Sequence, residues 1–194
     1  MHYMTAKNNI EMIRDYLNYV EGHLDNVQKS WELFKAADNA AQKDGKVSLL
    51  ADDFLYWEVD SNIRLHDVSK LRASELVQYA EWFHGANGNR YDIFDDGAIG
   101  EAAHNDAKAA FAEAWEHHKA HNPHHWEHWT AKANSYPNEW YVHCICMVID
   151  WMAMGLKFGD TAEDYYTKNK DRINLPEHGH RVCCEIFERL RVYG

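Results

Sequence analysis

The chain has 194 residues, 46% hydrophobic and 13% aromatic, with 20 Lys and Arg against 31 Asp and Glu, for a formal net charge of −11. That apolar content is ample for one packed domain, which excludes a disordered chain, and scattered basic residues on an acidic chain exclude attraction to a nucleic-acid duplex or an anionic membrane surface. Small phosphorylated substrates are compatible with this charge, because a bound metal inverts the local field.

The spacing predicts an all-α protein, a single domain over 1–194 with seven or eight helices and no sustained period of two. The first helix is expected from about Thr5 to Ala41, where Ile13, Leu17, Val20, Leu24, Val27, Trp31 and Phe34 recur in steps of four and three. His23 borders this stripe and reads either as a core-edge histidine or as a ligand. Lys43-Asp44-Gly45-Lys46 is a break. A second helix runs from about Leu49 to Asn62, and the segment Arg64-Leu65-His66-Asp67-Val68-Ser69-Lys70 follows at a helix end. Another helix spans about Arg72 to His84. Gly85 to Gly100, with four glycines, reads as the longest loop, a lid or a connector.

A helix from about Glu101 to His121 is expected to stop before Asn122-Pro123, since proline disfavours helix at the residue before it. A further piece reaches about Asn134, and Pro137 opens a helix to about Gly155. Thr161 with Asp164 resembles a cap for the next helix. Pro176 precedes the last one, which ends near Val192. The first residues are mixed and polar, and no apolar run reaches the ~20 residues of a membrane span. The four cysteines, Cys144, Cys146, Cys183 and Cys184, are therefore expected as reduced core thiols in a cytoplasmic protein.

Three features carry chemistry. His66-Asp67 sets an imidazole nitrogen beside a carboxylate, both good ligands for a divalent ion of the Zn, Mn, Fe, Ni or Co type. Lys70, three and four residues on, can share their face and meet an anionic substrate oxygen. Asp150 is the only polar side chain in Cys144–Met154. A buried carboxylate there needs a metal or a cationic partner, with an Arg or a Trp N–H as the alternative to a ligand role. Between His117 and His128 lie six histidines, His117, His118, His121, His124, His125 and His128, a density that suits metal binding.

The order His23, then His66-Asp67 with Lys70, then the histidine run, then Asp150 resembles the HD-domain superfamily of all-α metal-dependent phosphohydrolases. "HDVSK" is similar to that family's His-Asp-x-Gly-Lys signature, with Ser69 at the glycine. More narrowly, "HDVSK", "AWEHHKAHNPHHWEHW" and "IDWMAMGLKFG" resemble an uncharacterised family of small bacterial and phage proteins, from about Tyr16 to Tyr166. The wider resemblance implies one metal held by His23, His66, Asp67 and Asp150. It implies a second held with His118 and one of His124 or His125, Asp67 bridging the two. The implied substrate is a nucleotide or other small phosphate ester, with Lys70 and Asp67 at the reaction centre. Two other activities are compatible with the same ligands: a di-iron oxygenase, and a metal-binding protein without catalysis. A homo-oligomer is left open.

Overall fold

A computed structural model describes residues 6–89, 93–130 and 140–194, with 93–99 and 130 described by backbone alone. The protein is all-α, with eight α-helices and no strand among the described residues. The helices are α1 (Ala6–Lys43), α2 (Asp53–Arg64), α3 (Leu76–His84), α4 (Ile93–His121), α5 (Trp126–Thr130), α6 (Trp140–Phe158), α7 (Ala162–Asn169) and α8 (Glu177–Tyr193). One 3-10 turn, Val68–Leu71, follows the His-Asp doublet. The chain forms two compact units and crosses between them three times. The first unit comprises 1–22 and 67–122, the second 23–66 and 123–194.

The second unit is organised around α6, which packs against α2, α7 and α8. Its core joins Val27, Trp31 and Phe34 of α1 to Ile145, Val148 and Ile149 of α6 and Ile186 and Phe187 of α8. By length and composition α6 would pass for a membrane span, yet 61% of its most apolar window is buried, as in a core helix. It runs past the expected stop at Gly155 to Phe158. Gly155 marks a close approach, since a Cβ there would meet the backbone carbonyl of Asp160. The helix ends at Gly159, which has φ +82, a left-handed conformation that glycine adopts without steric cost.

In the first unit α3 packs on α4, and the 3-10 turn contacts both. Tyr79 and Phe111 meet edge to face with centroids 5.1 Å apart, and Trp82 stacks on Phe111 at 5.3 Å. The buried face of α1 here is Met12, Tyr16 and Val20, with Leu17 exposed. The expected stripe was thus one residue out of phase in its first turns, because tyrosine and methionine compete with leucine and isoleucine for a core face.

Several boundaries differ from expectation. The second half of the expected Gly85–Gly100 loop is helix, since α4 starts at Ile93; helix propagation from the alanine-rich stretch after Gly100 outweighs the glycines. The helix expected to start at Pro137 is described only from Trp140, and Asn134 and Pro137 lie outside the described residues. The break after α1 holds, with Gly45 at φ +80. Thr161 and Asp164 form a full capping box on α7, and α8 starts directly after Pro176.

Candidate metal centre

In the second unit, helices from three parts of the chain carry polar atoms to one point. His23 lies on the buried face of α1, between Val20 and Val27, and not at its border. Helix α2 ends at Arg64 with Leu65 as its cap, and His66 follows with its N–H on the Ile63 carbonyl. Asp150 comes from the middle of α6. His23 Nε2 is 3.2 Å from Asp150 Oδ1, His66 Nε2 is 3.4 Å from the same oxygen, and the two Nε2 atoms are 3.3 Å apart. His124, in the turn before α5, stacks on His66 with centroids 4.1 Å apart. Ligand atoms of His66, His124 and Asp150 lie within 4.8 Å of one another.

These separations fit a cation. Donors bound to one ion at about 2.0–2.2 Å in a tetrahedral or octahedral shell stand roughly 3.0–3.5 Å apart. Hydrogen bonding accounts for the triangle less well. If both Nε2 atoms carry protons for Asp150, the two donors crowd onto one oxygen; if one is bare, one contact with the carboxylate is repulsive. Burial would raise the Asp150 carboxyl, but the bonds to His23 and His66 outweigh it and hold it well below the usual carboxylate range. The partner of Asp150 is therefore neither an arginine nor a tryptophan N–H but a pair of imidazoles.

The first unit holds a different cluster. Asp67 sits at φ 56, the one left-handed non-glycine among the described residues, a conformation that Asp tolerates. Its Oδ2 accepts from Lys70 Nζ at 2.5 Å, and its Oδ1 is 3.2 Å from His118 Nε2. His118 Nδ1 is 2.8 Å from Glu75 Oε2, and His117 Nδ1 is 2.7 Å from Glu75 Oε1. Ser69 Oγ donates to the same Oε2 at 3.0 Å, while Asn122 donates to Ser69 Oγ at 2.8 Å. Burial would lower the His118 pKa, but its bonds to Asp67 and Glu75 prevail and raise it. Burial likewise pushes the Glu75 carboxyl up, and the bonds from His118 and His117 bring it below its ordinary value.

Residues 12–190 match DUF5662, a family of unknown function. The chain belongs to that family. No curated protein and no solved structure matches it. The DUF5662 match covers both clusters in full.

Of the expected ligands, the second unit brings His23, His66, His124 and Asp150 together, and the first unit pairs Asp67 with His118. His125 lies beside His124 with centroids 4.5 Å apart. His121 is exposed, bonds its own helix at the His117 carbonyl and stacks on His117. His128 packs edge-on against Trp129. Ser69 does not cap the following helix: it is buried inside the 3-10 turn and its hydroxyl serves Glu75. Its backbone is not left-handed, so serine replaces the signature's glycine without strain. The cysteines are free thiols, three of them buried, with Cys144 and Cys183 sulfurs 3.7 Å apart. His143, beside them in sequence, is pushed down to about 4 by burial, with His124 and His128 adding to the effect.

Glu75 was missed. It is fully buried, yet in the sequence it reads as an ordinary acid at the start of a helix, where the dipole favours one. Only its place as the sole acid between Asp67 and Glu81 could have singled it out.

Proposed function

We propose that this protein is a metal-dependent phosphohydrolase acting on a nucleotide or another small phosphate ester. The observation that carries the reading is the triangle of His23 Nε2, His66 Nε2 and Asp150 Oδ1, with edges of 3.2–3.4 Å. His23, His66, His124 and Asp150 would hold a divalent transition-metal ion. Asp67 follows His66 directly in the chain, and with His118 it supplies the further ligands that the HD resemblance implies for a second ion. When bound, such an ion lowers the pKa of its water and polarises a phosphoryl oxygen.

The chain's own residues supply the rest. His23, His66 and His124 are buried, which strengthens the charge interactions they make. Lys70 holds Asp67 in place through the 2.5 Å contact, and its ammonium would meet a phosphate oxygen of the substrate. His118 has one nitrogen towards Asp67 and the other on Glu75, which fixes the orientation of its ring.

The test is elemental analysis of protein purified without a histidine tag, followed by a phosphate-ester panel with added Mn²⁺, Fe²⁺, Zn²⁺, Ni²⁺ or Co²⁺. Metal uptake with ester turnover, both lost in His23→Ala, is the expected result. Protein that takes up no metal from any of these ions ends the reading. Metal uptake with no turnover on any ester leaves a binding protein, and oxygen consumption by the iron form points to oxygenase chemistry instead.

A further inference from the structure

One buried carboxylate in the first unit accepts three hydrogen bonds that the metal reading does not require. Glu75 is fully buried, and each of its oxygens is engaged: Oε1 by His117 Nδ1 at 2.7 Å, Oε2 by His118 Nδ1 at 2.8 Å and Ser69 Oγ at 3.0 Å. An ionised carboxylate only accepts. Both imidazoles therefore carry their proton on Nδ1 towards Glu75. The Nε2 of His118 is then the nitrogen with a lone pair to offer once its proton leaves, and it stands 3.2 Å from Asp67 Oδ1, the edge length of a metal's coordination shell.

We propose that Glu75 is the positioning residue that fixes His118 as an Nε2 ligand, and that Asp67 and His118 together are thereby set as a two-donor cation site in the first unit. This rests on the metal-dependent reading above. The same carboxylate holds His117, so a single side chain explains why the chain has a histidine doublet here: one member is the ligand, and the other shares the acceptor that orients it. Ser69 belongs to the device as well. At the position where the signature has glycine, its hydroxyl donates to Glu75 Oε2 and receives the Asn122 amide, which holds the carboxylate in line with His118. A ring nitrogen held by an outer carboxylate binds metal more tightly, and losing that partner typically costs about 10–100-fold in affinity.

Glutamine at 75 is the discriminating change. It keeps shape and volume but has one acceptor oxygen for three donors, so its amide N–H₂ must face one of them. If it faces His118, the imidazole turns to the other tautomer and its Nε2 carries a proton in the direction of Asp67. The experiment measures Zn²⁺ stoichiometry and affinity by chelator competition for the wild type, Glu75→Gln and Glu75→Asp, with histidine tautomers read by ¹⁵N NMR in the zinc-loaded proteins. We expect the wild type to show His118 with Nδ1–H and a zinc-shifted Nε2. Glu75→Gln should bind the ion associated with Asp67 and His118 about 10–100-fold more weakly. Glu75→Asp, which keeps the charge one methylene back, should fall between them. Zinc bound by the wild type with Nε2–H on His118, or unchanged affinity in a folded Glu75→Gln, overturns the proposal and leaves the metal reading standing. Failure of Glu75→Gln to fold does not rescue it, since the wild-type tautomer decides alone. A wild type that takes up no zinc overturns both.

Discussion

In the second unit one carboxylate, Asp150, faces the Nε2 atoms of two histidines. In the first unit two carboxylates, Asp67 and Glu75, enclose one imidazole, and Lys70 closes the balance. The first cluster can satisfy its charges from its own side chains. The second sets the Nε2 atoms of two histidines 3.3 Å apart at one carboxylate oxygen, and it is the arrangement that gains most from a cation. A buried polar cluster is informative in proportion to what it leaves uncompensated, and by that measure the second unit is where metal should matter most.

The largest effect should come from Asp150→Asn. A neutral amide is a poorer ligand, so the protein should lose metal from the second unit, seen as lower stoichiometry by elemental analysis. With chelator present its thermal midpoint should still lie below that of the wild type, because the fold holds the Asp150 carboxylate ionised through His23 and His66. A variant that keeps a full complement of metal would remove Asp150 from the site and erase the contrast between the units. Chelation of the wild type comes next. An ion at about 100 times its Kd contributes roughly 2.7 kcal/mol, which for a chain of this size is about 5–10 °C in Tm. An unchanged midpoint in calorimetry would mean that the second unit is as self-sufficient as the first.

Lys70→Ala tests the other cluster. Metal content should persist while ester turnover falls about 10–100-fold, since a cation on the substrate oxyanion acts in the transition state. Loss of metal would show instead that the lysine's service to Asp67 is its main role. A smaller effect concerns acid. Folding holds His143 at about 4, below its unfolded value of about 6.5. The unfolded chain therefore takes the proton first. The stability tied to neutral His143 is intact above pH ~6.5 and declines as pH falls through about 4. His143→Gln should flatten that part of a denaturation-against-pH curve, and an identical curve would contradict the assignment. His121→Ala should be nearly silent, within about 0.5 kcal/mol by denaturant titration, as an exposed side chain bonded to its own helix. A loss of metal comparable to that of Asp150→Asn would mean that the wrong histidines were chosen.

The reach of the sequence is visible in particular residues. Asp150 stood out because one charge among ten apolar helical positions must have a partner, as the cost of burying it demands. His23 could be placed on α1 by its spacing, but whether it faced core or border was a matter of one residue in the helical phase. The His124 or His125 alternative was not resolvable from a doublet in a turn; of the two, His124 is the one stacked on His66. The second half of the Gly85–Gly100 segment misled because glycine penalties are local, while helix propagates cooperatively along α4.

The sequence by itself determined the all-α class, the capping box at Thr161, the break at Gly45, the chemistry-bearing residue types and their chain order. Each of these depends on contacts within a few residues, which spacing encodes directly. Only the tertiary structure decided that Asp150 meets His23 and His66, at separations of 127 and 84 residues along the chain. It alone decided that Ser69 serves a carboxylate and not a helix end, and that Glu75 is buried at all. Those outcomes depend on which helix faces pack together, and a single polar side chain carries no local mark of the partner that packing will bring to it.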